Sequence, residues 1–389
     1  MTLLHRHMLK EILLAVLMAA GGFLFIMVAA NLLKGPLALV LDGRLPWPTF
    51  FELTFLLIPG VAPYVMPIGI LTGVLLVLGR MSAQNEITAM RAAGMSLRRI
   101  AAPIVAIGLA GTALAVFVNF QYAPWANDRT KAILEGAVRD NPINFIAEKT
   151  PVSDFKDHLI YADKRDGDTL SGVWIWRREK APKGALGAER ELIRADHARL
   201  THETGDPDDP DDDLLVLNLR GAAVERREPA APGEPDALAM GGAEEATLRF
   251  PLGKLLKDSG GYSKKLRWHT FTELMALREK GYRLKPGASA KERFADRIEV
   301  QLQIQTNLAS AFGILSLTLL AIPLGIRVSR SETFVNFGVA LALALSYYLL
   351  TVVVSWIQNP ALRPDLLVWL PNLLIQAVAI KLFLKAEKL

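Results

Sequence analysis

The amino-acid sequence predicts an α-helical membrane protein with six transmembrane helices and an all-β, jelly-roll-like domain between the third helix and the fourth. Hydrophobic residues make up 51% of the 389 residues, and they are concentrated in the two ends of the chain. The polar middle contains short segments that alternate apolar with polar residues, which is typical of half-buried strands. This distribution indicates a membrane domain that is interrupted by an extramembrane insertion.

Six apolar runs are long enough to cross roughly 30 Å of hydrocarbon as helices. They cover residues 12–33, 53–78, 101–120, 302–326, 334–357 and 366–384. The first run follows basic residues, as the core of a signal peptide does, but it is longer and no small-residue cleavage site follows it. We therefore predict a retained helix, and six spans place both termini on one side of the membrane.

Basic residues indicate which side of the membrane is the cytoplasm. Most of the lysines and arginines beside the spans lie in segments on the same side as the termini, whereas the short loops on the other side keep Lys34, Arg44 and Arg363. The positive-inside rule therefore predicts cytoplasmic termini. The predicted organisation is three spans in residues 1–120, an outer β-domain with a helical connector in 121–298, and three spans in 299–389.

Within the insertion, alternation of apolar and polar residues locates the strands. Strands are predicted in segments 171–177, 191–202 and 214–227. Segments 205–213 and 227–242 are rich in proline, glycine and acidic residues, so we predict exposed hairpin loops there. Residues 270–298 have helical spacing that is broken by a Lys-Pro-Gly sequence, and they are predicted to return the chain to the membrane.

Neither catalytic nor metal-binding residues are predicted. The sequence contains no cysteine, and its Gly253-Lys254 pair lacks the rest of a phosphate-binding loop. The formal charge of +5 does not indicate nucleic-acid binding, because the basic residues flank apolar runs. No charged residue lies near the centre of a predicted span, which argues against a proton-coupled carrier. Energy for transport would then come from a partner.

The segment between spans two and three, residues 78–100, carries the most informative pattern. It predicts a short amphipathic cytoplasmic helix at about residues 80–94. One face would hold Ala83, Ile87, Met90 and Gly94, and the other would hold Gln84, Glu86 and Arg91. Such a helix could bind an ATPase or lie on lipid head groups. The carboxylate of Glu86 favours a protein partner, because anionic lipid repels it.

Two further groups of residues each have two interpretations. Pro59, Pro63 and Pro67 lie on one face of span two, which is expected to be bent or locally opened there. They could form a hinge or simply pack. Lys34 and Arg44 follow span one at the height of lipid phosphates, where cations could bind an anionic head group or anchor the helix by snorkelling.

Three segments resemble the lipopolysaccharide export permeases, the LptF/LptG family. They are IPGVAPYVMPIGILTGVLLVLGRMSAQNEITAMRAAGMSLRRI at 58–100, LLAIPLGIRVSR at 319–330 and WLPN at 369–372. The resemblance covers nearly the whole chain. The sequence APWANDRTKAILEG, which follows span three, looks closer to the F-type subunit than to the G-type subunit.

The resemblance implies a permease subunit of an ATP-driven transporter that moves lipopolysaccharide from the bacterial inner membrane to a periplasmic bridge. The chain would be non-catalytic and would bind no cofactor, because a cytoplasmic LptB-like ATPase dimer binds the ATP. The other implied partners are a homologous LptG-like subunit, a single-span LptC-like β-protein and an LptA-like bridge protein. The outer β-domain would be a periplasmic jelly roll.

The resemblance also implies roles for particular residues. Five of them, Glu86, Ile87, Met90, Arg91 and Gly94, would form the ATPase-coupling helix. Lys34 would contact a lipid phosphate, with Arg44 as a second lipid-binding residue further along the loop. Two other classes remain open: a permease of the lipoprotein-release or mechanotransmission type, which usually has four helices, and an envelope scaffold, which would need no coupling helix.

Overall fold

The computed structural model describes most of the chain. The described residues are 3–34, 36–41, 45–140, 146, 148–149, 151, 158–178, 189–203, 214–228, 237–251, 264–282, 284, 287, 289–327, 333–357 and 359–387. The chain forms two compact units. One comprises Met1–Pro36, Phe51–Thr130 and Lys264–Leu389, and the other comprises Leu37–Phe50 and Lys131–Ser263.

Helices make up both terminal parts of the chain. The first group is α1 (Leu3–Lys34), α2 (Pro36–Leu41), α3 (Trp47–Ala83), α4 (Glu86–Ala92), α5 (Leu97–Phe117) and α6 (Ala123–Asp140), with a π-helical turn at Val118–Tyr122. The second is α7 (Phe271–Lys280), α8 (Ala290–Arg327), α9 (Thr333–Ser355), α10 (Pro364–Leu367) and α11 (Leu370–Glu387). Single turns of 3-10 helix cover Leu266–Trp268 and Pro360–Leu362.

Six helical segments of the described chain are long and apolar enough to cross a membrane, which confirms the predicted number. They are His5–Leu33, Trp47–Ala83, Leu97–Leu134, Ala290–Ile326, Gly338–Ser355 and Pro364–Glu387. The third continues through the π-helical turn into α6, and the fourth begins at Ala290, so the predicted domain boundaries at 120 and 298 fall inside continuous helical segments.

The helical unit is built around α3 and α8. In the apolar stretch of each of these two spans 67% of the residues are buried, compared with 11% in α1 and 17% in α9. Fully buried side chains such as Leu71, Leu78 and Leu317 form one hydrophobic cluster with residues of α1, α4 and α5. The exposed apolar faces of α1 and α9 are suited to lipid or to another membrane-spanning protein.

The other unit contains a five-stranded antiparallel sheet. Its strands are β1 (His158–Asp166), β2 (Thr169–Arg178), β3 (Glu189–Glu203), β4 (Leu214–Glu228) and β5 (Ala237–Pro251). Each strand pairs with the next along the chain, in the order β1-β2-β3-β4-β5. The three predicted strands are confirmed as parts of β2, β3 and β4. The described strands form a meander, in which each strand pairs with its neighbours along the chain. A jelly roll also needs connections between two sheets, so that part of the predicted fold stays a prediction.

The predicted loops have different outcomes. The loop predicted at 227–242 is wrong at both of its ends, because β4 continues to Glu228 and β5 begins at Ala237. The alanines and glycines at 237–242 have low strand propensity, as is typical of a loop. Their backbone nevertheless pairs with β4, and this pairing overrides the propensity. The acidic loop at 205–213 lies outside the described residues.

A single line interrupts the ladder in all five strands. We call the five residues on it the crease: Asp163, Gly172, Asp196, Gly221 and Glu244. The residues before and after each of them pair with the neighbouring strand, but these five residues are not among the paired residues. Gly172 and Gly221 have φ of +63° and +66°, the left-handed region that favours glycine.

The apolar period of two slips by one residue at the crease. Buried positions are three residues apart across it, at Leu170 and Val173, at Ala195 and Ala198, and at Leu219 and Ala222. Residues on both sides of the line nevertheless belong to one core. The pairs on either side of the crease keep the same offset, so the register of neighbouring strands continues across it. The slip turns both halves of β2, β3 and β4 toward the same core.

Alanine at Gly172 and Gly221 is therefore expected to loosen the sheet. Each substitution places a side chain at positive φ, which costs roughly 1–2 kcal/mol, and a Cβ at Gly221 would lie 2.5 Å from Asp196 Oδ2. Hydrogen exchange of the full chain in detergent should show amides of β2–β4 exchanging at least tenfold faster. Gly241→Ala, which has open space around it, should not change exchange, and equal effects of all three would contradict the role of the crease.

The predicted helical connector is confirmed and consists of α7 and the start of α8. Thr270 and Glu273 form a capping box at the start of α7, and Lys264 Nζ contacts both Glu273 and Asp128 of α6. Burial alone would raise the pKa of Glu273, but hydrogen bonds from the Thr270 amide and Lys264 hold it below its ordinary value.

Gly281 ends α7 at φ +91°, and Asp296 of α8 accepts a hydrogen bond from the Tyr282 amide at 2.8 Å.

Candidate functional site

The candidate site is α4, the short helix between the second and third spans. The helix predicted at 80–94 is divided in the structure, because residues 80–83 continue α3 and α4 begins at Glu86. Gln84 and Asn85 form a turn between them, and Asn85 has φ of +57°. Asparagine is one of the few residues that adopt this conformation readily, which explains why the break occurs there. Gly94, at φ +86°, follows the last turn.

Side chains of α4 separate into a buried face and an exposed face, as the sequence predicted for its central residues. Ile87 and Met90 are 3% and 8% exposed. Glu86 is exposed and Arg91 is half-buried. Gly94 and Ala83, predicted for the apolar face, are exposed because the helix does not reach them. The structure thus brings Glu86, Ile87, Met90 and Arg91 together on one turn and a half of helix.

The buried face of α4 belongs to the main hydrophobic core. Ile87 and Met90 share one cluster with Met81 of α3, Ile100 of α5 and Ile12 of α1. A hydroxyl–carbonyl hydrogen bond of 2.9 Å between Ser82 and Ile326 joins the end of α3 to the end of α8. A force on α4 would therefore act on three spans at once, because the apolar residues are close-packed.

The chemistry available at α4 is binding rather than catalysis. Glu86 presents a carboxylate in the first turn, where it can accept hydrogen bonds or an ion pair from a basic partner. In the described part of the chain, acidic and histidine side chains do not form a group of three that could hold a metal ion. The arrangement is an apolar anchor with a charged contact point beside it.

The three prolines lie in the middle of α3. Pro59 and Pro67 are buried and Pro63 is half-buried. The helix is continuous through all of them, from Trp47 to Ala83. Of the two predicted alternatives, a local opening is not present, and a bend stays a prediction. Beside Pro63, the Tyr348 hydroxyl of α9 donates to the Tyr64 carbonyl of α3 at 2.8 Å. The role of the prolines as a hinge stays a prediction.

The predicted lipid-binding residues cannot be placed against other side chains. Lys34 is the last residue of α1, but its side chain lies outside what the structure describes. Arg44 is outside the described residues altogether. Their role in contacting lipid phosphate stays a prediction.

The sequence analysis missed a buried polar network around Asn372, although it singled out the WLPN segment that contains it. Asn372 is 1% exposed. Its amide group donates to the Ala309 carbonyl of α8 at 2.7 Å, and its oxygen accepts from Ser316 and Tyr347, both at 3.2 Å. Trp369 of the same segment donates to Gln305 at 2.9 Å. The network joins α8, α9 and α11.

Comparison with known proteins agrees with this architecture. The family model described as "Lipopolysaccharide export system permease LptF/LptG" matches residues 6–385. Proteins named LptF from Escherichia coli K12 and from Shigella flexneri are each 26% identical over 200 residues, which is 50% of this chain and 52% of theirs. The chain thus spans about half the length of the curated relatives it matches.

Proposed function

Because the chain belongs to the LptF/LptG family of lipopolysaccharide export permeases, we propose that it is a subunit, of the F type, of an ATP-driven exporter in the bacterial inner membrane. The exporter would extract lipopolysaccharide and pass it to a periplasmic bridge. Both termini would be cytoplasmic and the β-domain periplasmic. The observation that carries this proposal is the form of α4, with its buried apolar face and exposed Glu86.

The proposed partners follow from the surfaces that the chain presents. An LptB-like ATPase dimer would bind α4 and hydrolyse the ATP, so this chain would need neither a cofactor nor a catalytic group. A homologous LptG-like subunit would complete the membrane cavity beside the exposed faces of α1 and α9, where Phe25 and Leu345 are 75% and 59% exposed. An LptC-like protein and an LptA-like bridge would receive the lipid at the β-domain, whose strand edges can pair with another sheet.

In this mechanism the chain works by a movement of its helices that begins at α4. Closure of the ATPase dimer would push α4, and the shared core would transmit that movement to α1, α3 and α9, the first, second and fifth spans. The cavity between the two subunits would narrow, which would expel the lipid. Lys34 and Arg44 would bind its phosphates before expulsion, and the prolines of α3 would accommodate the bending.

Reversing the charge of Glu86 tests the proposal. The complex would be extracted in mild detergent from native membranes, and its proteins and lipids identified by mass spectrometry for wild type and for Glu86→Lys. We expect a homologous permease, an ATPase and lipopolysaccharide with wild type, and at least a tenfold loss of ATPase in the variant, since a lysine would repel the basic contact of the partner.

Glu279→Lys provides the matched control, because it makes the same charge change on an exposed residue of α7. It should leave the ATPase in the complex. Equal recovery of ATPase with Glu86→Lys and wild type would contradict the coupling role of α4. Wild-type protein that is recovered alone, or with unrelated envelope proteins, would instead favour the scaffold.

A further inference from the structure

An ion pair between Glu11 and Arg80, with His7 beside it, joins α1 to the end of α3, just before the turn that leads into α4. Arg80, in the last turn of α3, donates to Glu11 Oε2 of α1. The other oxygen, Glu11 Oε1, lies 3.3 Å from His7 Nε2, one turn earlier on α1. Both oxygens of one carboxylate are therefore engaged, which fixes its orientation. Arg80 and Glu11 are 69 positions apart in the chain.

Apolar packing continues this contact along the same half of α1. Met8, Ile12 and Val16 are 3%, 0% and 8% exposed, and they share the core cluster with Met81 and Ile87. The backbones of α1 and α3 come close at Val16, because a Cβ built on Gly73 would lie 2.6 Å from Val16 Cα. The first half of α1 is thus held against the helices around α4.

In the second half of α1, none of the described side chains is buried. Phe25, Ile26 and Leu33 are 75%, 62% and 70% exposed. A helix that is fixed at one end and exposed at the other transmits displacement of the fixed end to the exposed end. The Glu11–Arg80 ion pair lies at the fixed end, where displacement would begin.

We propose that Glu11 and Arg80 are positioning residues that fasten α1 to the segment carrying α4, so that movement of α4 displaces the exposed half of α1. This inference rests on the proposed function and deepens it by assigning the connection between the coupling helix and a membrane-lining helix. Neither residue contacts lipid or nucleotide in this role. The hydrophobic contacts hold the two helices together, and the ion pair fixes their register.

The expected size of the effect follows from exposure. Arg80 is 49% exposed and Glu11 is 26% exposed, so water screens the pair and its loss should change an equilibrium by about three- to fivefold. Removing either charge should therefore weaken coupling without unfolding the protein. Exchanging the two charges should restore it, because the pair would re-form with opposite polarity.

The test compares Glu11→Gln, Arg80→Gln and the exchanged variant Glu11→Arg/Arg80→Glu in the full complex, reconstituted in nanodiscs. The readouts are ATP hydrolysis and lipid released per ATP. We expect both single variants to keep the ATPase bound and active while releasing about three- to fivefold less lipid per ATP, and the exchanged variant to recover. Glu387→Gln is the matched control, since it removes the Arg98–Glu387 ion pair between α11 and α5.

A second measurement separates this inference from the proposed function. The sequence has no cysteine, so spin labels at Leu14→Cys and Ala83→Cys would report the α1–α3 distance without other labelling. The distance distribution should broaden in Glu11→Gln and narrow again in the exchanged variant. An unchanged distribution, or single variants with normal release per ATP, would overturn the inference. Failure of the wild-type protein to bind an ATPase, together with broadening in Glu11→Gln, would overturn only the export function.

Discussion

Replacing Gly73 with valine is expected to force α1 away from α3 and to lower the stability of the helical unit by about 3 kcal/mol. A Cβ at this position would lie 2.6 Å from both the backbone nitrogen and the Cα of Val16. Gly69, one turn earlier, is similarly close to Ala20, with a Cβ at 2.7 Å from the Ala20 Cβ. Small residues four positions apart let two helix backbones approach in a membrane, where van der Waals packing drives association.

The clash at Gly73 involves backbone atoms, so a change of side-chain rotamer on α1 cannot relieve it. Gly60→Val is the matched control on the same helix, because a Cβ there meets no atom within 4 Å. Thermal unfolding in detergent, followed by size-exclusion chromatography with fluorescence detection, should show a melting temperature several degrees lower for Gly73→Val than for Gly60→Val. Equal melting temperatures would show that α1 does not depend on this contact.

The same variant tests whether the glycine contact and the Glu11–Arg80 ion pair belong together. If the fixed half of α1 is displaced, the Glu11–Arg80 contact should also be lost, so Gly73→Val should broaden the α1–α3 distance in the same way as Glu11→Gln. The glycine contact and the ion pair would then be two parts of one attachment.

Local patterns predicted the elements that depend on local physics. Apolar length identified six spans, and a period of two identified three strands, because burial against lipid or a core imposes those patterns on each segment separately. The faces of α4 followed in the same way from Ile87 and Met90. The division of the helix at Asn85 did not, since helical periodicity continues across the turn and only the left-handed conformation of one residue interrupts it.

Features that depend on distant parts of the chain were not predictable. The Glu11–Arg80 contact joins α1 and α3, and the apolar pattern of neither helix indicates which other helix it packs against. The ends of the loop predicted at 227–242 are strand because they pair with each other, as the end of β4 and the start of β5, and this pairing overrides low strand propensity. The crease would be visible in sequence only as a slip of the apolar period at Leu170 and Val173, and its meaning depends on the same slip in neighbouring strands.

The largest effect on the polar interior is expected from Asn372→Leu. Leucine has a similar size, but it neither donates to the Ala309 carbonyl nor accepts from Ser316 and Tyr347. Removing one partner leaves the other buried groups unsatisfied, at roughly 1–3 kcal/mol for each group that finds no replacement. Ser316 also donates to the Phe312 carbonyl of its own helix at 3.1 Å, so we expect a total loss of about 2–4 kcal/mol.

Asn127→Leu is the matched control, because it makes the same substitution at a half-buried position. Its amide donates to the Ala123 carbonyl one turn away on α6, at 2.7 Å, and its loss should cost less than about 1 kcal/mol. The melting temperature of Asn372→Leu should therefore be clearly lower, and the two variants would melt alike only if Asn372 did not hold α11 to α8. Since the Asn372 side chain of α11 is hydrogen-bonded to both α8 and α9, α9 and α11 should loosen together, and hydrogen exchange should rise in both.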